Sequence, residues 1–252
     1  MSVAAYSLFS SSSGNCEFIT DGETSFLIDA GCSAKRITDA LCSLGASPGN
    51  ISAVFVTHEH TDHIAALRVL TQKYGFAVHA PAVCAPYIPV PVGEHEREFS
   101  VRLGAFTVNS FATSHDSRCS VGYVITHDGG DRFAVATDTG CVTEQMKDAL
   151  CGCRAVLLES NYDEVMLICG PYPEDLKRRI ASDRGHLSNA QCAGFLPYLY
   201  GKGTRRVVLG HISPENNTPQ TALSAALACA AEHGLSDMQI VCAERYGITR
   251  II

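Results

Sequence analysis

Three histidines and two acids occupy six consecutive positions in "VFVTHEHTDHIAAL", Val54 to Leu67, directly after an apolar run. Burying titratable groups is costly unless they are paired or coordinate a metal, so their concentration at the end of a strand points to a cation. "AVFVT" reads as a buried strand and "HIAALRVLTQKYG" as a helix, which makes the H-x-H-x-D-H segment the loop between them. Strand-end loops are where a rigid scaffold presents reactive groups. In an extended or tightly turned loop His58 and His60 can point the same way, and Asp62 and His63, at the helix start, can reach a neighbouring point. One segment thus supplies two half-sites, the arrangement expected for two divalent ions ~3.5–4 Å apart. Neutral imidazole and carboxylate suit zinc best, with manganese or iron as alternatives. Closing ligands are on offer at three further strand ends: His115 in "VNSFATSHDS", Asp138 in "FAVATDTG" and His211 in "VVLGHIS". A lone histidine after a strand is an ordinary hydrogen-bonded loop residue, but these three together with the first loop complete two coordination sets.

The elements that must position these groups follow from periodicity. Short apolar runs predict strands at "AAYSLF", "CEFIT", "TSFLID", "AVFVT", "FTVNSF", "VGYVIT", "RFAVAT", "AVLLES", "RRVVLG", "MQIVCA" and "ITRII". Helical spacing appears in "SAKRITDALCSLG", "HIAALRVLTQKYG", "TEQMKDALCG", "PEDLKRRIASDRG", "NAQCAGFLPYLYG" and "TPQTALSAALACAAEHG". Hairpins first, then alternating strands and helices in each half, suit two mixed sheets face to face with helices outside: a four-layer α/β (αββα) sandwich, expected as a single domain over residues 1–252. No sequence repeat or low-complexity linker divides the chain.

With 252 residues and 46% hydrophobic content, the chain can bury a core without staples. Its twelve cysteines do not suit the disulfide framework of a short secreted domain. The N-terminus lacks an export signal and no run approaches the ~20 apolar residues of a membrane span. The expectation is a reduced, cytoplasmic protein without a membrane partner, its cysteines packed as small hydrophobes. Cys151 and Cys153 form a Cys-x-Cys read as packing before a structural metal site. The net charge of −7, from 26 acids and 19 bases, argues against a generic nucleic-acid binder. That argument weakens where acids and histidines hold metal. Bases cluster at Lys177, Arg178, Arg179 and Arg184 and at Lys202, Arg205 and Arg206, each read as a solvated face before a phosphate track.

The succession Asp29, His58-x-His60-x-Asp62-His63, His115, Asp138, His211 resembles the metallo-β-lactamase superfamily across essentially the whole chain. The resemblance implies the metallo-β-lactamase fold, with a dinuclear site in the cleft between the sheets. It assigns His58, His60 and His115 to a first metal, Asp62, His63 and His211 to a second, and Asp138 as the bridge. Asp29, closing "TSFLIDAG", is implied as a support that orients a ligand. "SSSGNCEFI", "LLESNYD", "RGHLSNAQCA" and "LGHISPENN" further resemble the YycJ (WalJ) family, bacterial hydrolases of this fold assigned as nucleases. One departure marks this chain: where that family often carries Ala and then Pro after the His-Asp pair, it reads "HDSRCSVGY".

Distant similarity to the tRNA 3′-processing endonucleases implies a strand-end Glu and a Gly-His segment as a proton relay, here Glu159 and His186. The expected catalytic group is therefore His186, Glu159 and Asp62, with a hydroxide bridging the metals as nucleophile and His186 protonating the leaving oxygen. A helix-entry role for His186, bonded to Ser188, is the bland alternative. "SSSGN" suggests a hairpin whose Ser13 and Asn15 donate to phosphate, or an ordinary turn. Asn216 after His211 is either a loop cap or a substrate contact.

The leading expectation is an enzyme, a metal-dependent phosphodiesterase on nucleic acid, with 5′→3′ exonuclease action on DNA rather than RNA implied by the family. The alternative is hydrolysis of a small thioester, lactone or cyclic phosphodiester. A non-catalytic metal-holding module is the third reading. The residues do not speak to oligomeric state.

Overall fold

The computed structural model describes residues 2–252. Two seven-stranded sheets divide the chain almost in half. The first takes β1 (Ala4–Phe9), β2 (Cys16–Thr20), β3 (Ser25–Ile28), β4 (Ile51–Phe55), β5 (Ala77–Pro81) and β6 (Gly93–His95). The second takes β7 (Ser100–Leu103), β8 (Phe106–Ala112), β9 (Val121–His127), β10 (Arg132–Ala136), β11 (Ala155–Glu159), β12 (Arg206–Gly210) and β13 (Gln239–Cys242). The last strand, β14 (Thr249–Arg250), returns to the first sheet beside β1. Helices α1 (Ala34–Ser43), α2 (Thr61–Ile64) and α3 (Leu67–Tyr74) belong to the first half; α4 (Glu144–Leu150), α5 (Glu164–Cys169), α6 (Glu174–Ile180), α7 (Asn189–Gly201) and α8 (Pro219–Glu232) belong to the second.

Period-two alternation sets the layers. In β3, Phe26 and Ile28 face the other sheet, while Leu27 faces the helices. Phe55, Phe106, Tyr123, Phe133 and Leu157 join them in the core between the sheets, where the Phe26 ring meets Phe55 and Phe106 edge-on at 5.5 and 5.3 Å. On the outer faces, Leu27 and Val54 pack under Ile37, Leu41, Leu67 and Leu70 of α1 and α3. Val156, Val207 and Leu209 pack under Met146, Phe195, Leu199 and Ala226 of α4, α7 and α8. Three apolar clusters, one between the sheets and one under each helical layer, make the αββα sandwich. Among the described residues, no helix is long and apolar enough to cross a membrane.

Both sheets repeat one pattern: from β14 or β7 at the edge, three antiparallel pairings are followed by three parallel ones. Asp29 after β3 and Asp138 after β10 hold the equivalent place in each, and both adopt φ 57°. The strands that run with β3, β4, β10, β11 and β12 end at one edge of the sandwich, where every metal-ligand candidate sits, as expected for sites outside the carboxyl ends of strands.

Two expectations need correction. The helix predicted through "HIAALRVLTQKYG" is broken at Ala65–Ala66, and α2 begins earlier, at Thr61. The carbonyls that would continue it are taken from outside: Asp62 O accepts from Asn15 N at 2.8 Å and His63 O from Ala30 N at 2.7 Å, while Ala66 N donates to Ala30 O. Strands β5, β6 and β7 and helix α5 were not predicted; they are short, and β6 and β7 carry exposed or half-buried residues without an apolar face.

Candidate metal centre

Four histidines of the centre, His58, His63, His115 and His211, are anchored through one ring nitrogen, which turns the other inward, while His60 meets His58 Nε2 through its own Nδ1 at 2.9 Å. His63 Nδ1 lies 2.7 Å from Asp29 Oδ2, and Asp29 is itself held by Thr57, whose N and Oγ1 both donate to it at 2.8 Å. His58 Nδ1 sits 3.0 Å from Thr57 Oγ1. His115 Nδ1 donates to Gly185 O at 2.9 Å. His211 Nδ1 contacts Glu159 Oε1 at 2.9 Å, with Asn161 Nδ2 at 3.1 Å. Such outer partners fix the tautomer and ring orientation of a ligating histidine. Asp29 meets His63 Nδ1 and Thr57 and is in none of the donor groups of the centre.

Inward-facing atoms gather in overlapping sets. His58, His60 and His115 offer ligand atoms all within 4.8 Å of one another, as do Asp62, His63 and His211. Asp138 stands between the sets: Oδ2 is 3.3 Å from His63 Nε2, and Oδ1 is 3.7 Å from His115 Nε2 and 3.6 Å from His211 Nε2. A second grouping joins Asp138 and His211 to Glu159 and His186. His186 Nδ1 lies 2.7 Å from Glu159 Oε1, the same oxygen that meets His211, while Glu159 Oε2 accepts from Thr139 N at 2.7 Å. Glu159 is fully buried and His186 half-buried at the cleft.

The residues fit divalent cations. Asp138 Oδ2 and His211 Nε2 are buried with no hydrogen-bond partner, a costly state for polar atoms that a cation would relieve. His58 packs against His60, His63 and His115 with ring centroids 4.5, 4.1 and 5.1 Å apart. Burial, with His63 and His115 beside it, holds the His58 pKa well below the usual imidazole value, so this ring is a neutral donor. Burial opposes charge on His63 and His211, yet Asp29, Asp62 and Asp138 hold the first, and Asp138, Asp62 and Glu159 the second, well above it. Burial likewise opposes charge on Asp138, but His211 and His63 keep its carboxyl well below the carboxylate range. The pocket thus draws positive charge inward, and cations arriving there displace protons. Imidazole and carboxylate donors suit zinc, manganese or iron.

Backbone supports the side chains. Asp138 and His211 both sit in the left-handed region, at φ 57° and 52°, where strain in non-glycine residues clusters at functional sites. Gly31 has no room for a side chain, since a Cβ there would lie 1.5 Å from Asp62 O. Gly31→Ala is expected to push the Asp62–His63 turn out of the cleft. Overpacking of this kind costs about 1–3 kcal/mol or more, a fall in Tm of roughly 2–12 °C for a chain this size. Thermal unfolding with and without added zinc checks it: the variant should also lose most of the stabilisation that zinc gives the native protein.

Three expected substrate contacts divide. Asn15 is buried and faces inward: Nδ2 reaches Ser11 O at 3.0 Å, His63 Nε2 at 3.2 Å and Asp62 Oδ2 at 3.4 Å, so it positions the second donor set instead of meeting substrate. Asn216 is buried too, within a loop whose Asn216 O accepts from Asp163 N. Ser13 alone is exposed, its Oγ accepting from Arg245 at 2.9 Å. Ser188, the bland partner for His186, caps α7 in a full capping box with Gln191 and does not bond His186. The bases of α6 are ion-paired, Lys177 with Glu174, Arg178 with Asp175 and Arg179 with Asp116. Cys151 is exposed and Cys153 buried, so their environments differ. Sequence reasoning missed Thr57, Asn161, Gly185 and Asp116, whose Oδ1 lies 3.3 Å from His115 Nε2. Asn161 stood inside the quoted "LLESNYD", but no spacing tied it to a histidine fifty positions on.

Comparison with known proteins agrees with this architecture. Residues 11–211 match the family model of the metallo-beta-lactamase superfamily. The chain is 34% identical over 225 residues to the exodeoxyribonuclease WalJ of Streptococcus pneumoniae, covering 85% of this chain and 83% of that one. It is 34% identical over 235 residues to the exodeoxyribonuclease YycJ of Bacillus anthracis, covering 90% and 89%. The short form of human tRNase Z superposes with a TM-score of 0.68 over 98% of this chain and 99% of that one, at 14% identity, a likeness of fold. The chain therefore belongs to the metallo-beta-lactamase superfamily of hydrolases and, within it, to the family that includes WalJ and YycJ.

Proposed function

We propose that this enzyme is a metal-dependent phosphodiesterase that degrades DNA from the 5′ end. Its metal ligands are His58, His60 and His115 for one divalent ion and Asp62, His63 and His211 for the other, with Asp138 shared. Ions held there supply Lewis acidity and water ionised near neutral pH. The protein's own part is proton delivery. With Nδ1 engaged by Glu159 at 2.7 Å, His186 has Nε2 left to exchange a proton, and this atom donates to the departing sugar oxygen. Glu159 joins the donor to the centre, because one oxygen meets both His186 and His211. Asp62, aimed at His63 and His211 at 3.4 and 3.7 Å, completes the catalytic group.

The observation that carries this reading is the Glu159–His186 pair beside the donor sets. An alkoxide leaves poorly without an acid, whereas the thiolate of a thioester needs none, so a relay here favours a phosphodiester substrate. Relatives named exodeoxyribonucleases support DNA as that substrate. The test is incubation of the full chain, loaded with zinc or manganese, with 5′-end-labelled single- and double-stranded DNA and RNA. Release of labelled mononucleotides from DNA at the earliest times is expected. A ladder of shorter labelled fragments would mean internal cutting or attack from the 3′ end and overturn the 5′ polarity, and intact nucleic acid alongside hydrolysis of a thioester or lactone would overturn the proposal.

A further inference from the structure

A polar cavity of about 260 Å³ opens beside His115, lined by Arg97, Ser117, Arg118 and Arg184 among others. Its volume admits a phosphate group together with hydration water. Arg102, Arg154, Arg178, Arg179 and Arg205 are each paired with an aspartate. Among the described residues, Arg97, Arg118 and Arg184 have no carboxylate partner. The nearby acids are already engaged: Asp116 pairs with Arg179 at 2.6 Å, and Glu59 accepts from Arg118 N at 2.8 Å and lies 3.3 Å from Cys84 Sγ.

We infer that this cavity is a subsite for a second, non-scissile phosphate of the substrate strand, bound by Arg97, Arg118, Arg184 and Ser117. The inference rests on the proposed action on nucleic acid. Three arginines thus line one cavity without an ion-pair partner, in a protein of net charge −7. Arg97 is fixed by Nη2, which donates to Thr113 O at 2.7 Å and Ser120 O at 3.1 Å. Arg184 is tethered to the centre itself, its Nη2 lying 3.4 Å from His115 O. Ser117 Oγ is buried and has no hydrogen-bond partner, an unmet donor that a phosphate oxygen would satisfy. Arg118 leans over the Tyr87 ring, 4.9 Å from its centroid, and that ring is 51% exposed. Aromatic rings and arginines are groups on which unstacked bases lie, and this pair meets the cavity at Arg118. The overall acidic charge, which argued against a generic nucleic-acid binder, does not describe this side of the cleft.

The test compares Arg97→Ala, Arg118→Ala and Arg184→Ala with the native enzyme, loaded with manganese. The substrates are a 5′-phosphorylated oligodeoxynucleotide, its 5′-hydroxyl counterpart and bis(4-nitrophenyl) phosphate, which has no second phosphate. In each variant the ratio of kcat/KM for oligonucleotide to that for the small diester should fall tenfold or more, through KM. The slope of log KM against log salt should flatten by about one per lost phosphate contact. A loss confined to the 5′-phosphorylated strand makes the occupant the chain terminus; an equal loss on both strands makes it an internal diester. Native cleavage of oligonucleotides with an unchanged ratio in all three variants overturns the subsite alone. A native enzyme that hydrolyses the small diester and neither strand overturns the nucleic-acid reading, and the subsite with it.

Discussion

Asp138→Ala is expected to strip the centre of both metal ions, or nearly both, and to abolish turnover. Among the described residues, no other carboxylate lies against both donor sets: Asp138 Oδ2 is 3.3 Å from His63, and Oδ1 lies 3.7 Å from His115 and 3.6 Å from His211. Alanine would leave Asp116, 3.3 Å from His115 Nε2, as the acid beside the three histidines on one side, and Asp62 as the carboxylate on the other. Asp29→Asn provides the yardstick, because Asp29 touches His63 only through its outer nitrogen. Losing such a partner costs about 10–100-fold in metal affinity, and Asp138→Ala should exceed it. Elemental analysis after exhaustive dialysis is the measurement. Asp138 adopts φ 57°, which aspartate and asparagine tolerate better than alanine, so Asp138→Asn keeps the backbone and isolates the charge. Full metal content in both Asp138 variants would end the assignment of a shared carboxylate.

The centre was legible in the chain where its chemistry is local. His58, His60, Asp62 and His63 fall within six positions, and a short loop has few ways to arrange them. Asp29, His115, Asp138 and His211 could be picked out because each follows an apolar run, and the carboxyl end of such a run is where a sheet presents a site. The packing partners carry no comparable signal. Gly185 holds His115 across 70 positions, Asn161 holds His211 across 50, and Asn15 holds the Asp62–His63 turn across 47. Asn15 shows the difficulty most clearly: a serine, glycine and asparagine cluster reads as a turn or an anion nest, and only the fold brings its amide under the metal loop.

The sheets illustrate the same limit at larger scale. Strands with an alternating apolar face, such as β3 and β10, announce themselves, while β6 and β7 depend on a neighbour's backbone for their pairing. The matching order of pairings in the two sheets is invisible in the residues because backbone hydrogen bonds, not side chains, carry it. Yet that match puts Asp29 and Asp138 at equivalent strand ends with the same left-handed backbone. One sheet's aspartate orients a histidine from behind, and the other's faces the donors directly. Equivalent geometry has been given two functions by what packs around it.

His186→Ala should lower kcat/KM on DNA by about 100–10,000-fold, the usual contribution of a general acid, while metal content stays that of the native enzyme. The structure supplies the opposing case. Asp138, Glu159, His186 and His211 lie within 4.8 Å of one another, so His186 could instead be a ligand, and a variant that loses metal would prove it one. The leaving group separates the two roles independently. A sugar alkoxide needs a proton as the bond breaks, but 4-nitrophenolate departs without one. If His186 is the acid, His186→Ala should retain most of its activity on bis(4-nitrophenyl) phosphate, and the penalty should appear on DNA alone. If it is a ligand, both substrates should suffer alike. The Glu159 carboxylate adds a check on position: its Oε1 contacts His186 at 2.7 Å and His211 at 2.9 Å. Glu159→Gln should therefore disturb both the acid and a metal ligand, and fall on both substrates, unlike His186→Ala. Equal losses on the two substrates from His186→Ala, with metal intact, would leave the proton to another group and end the relay.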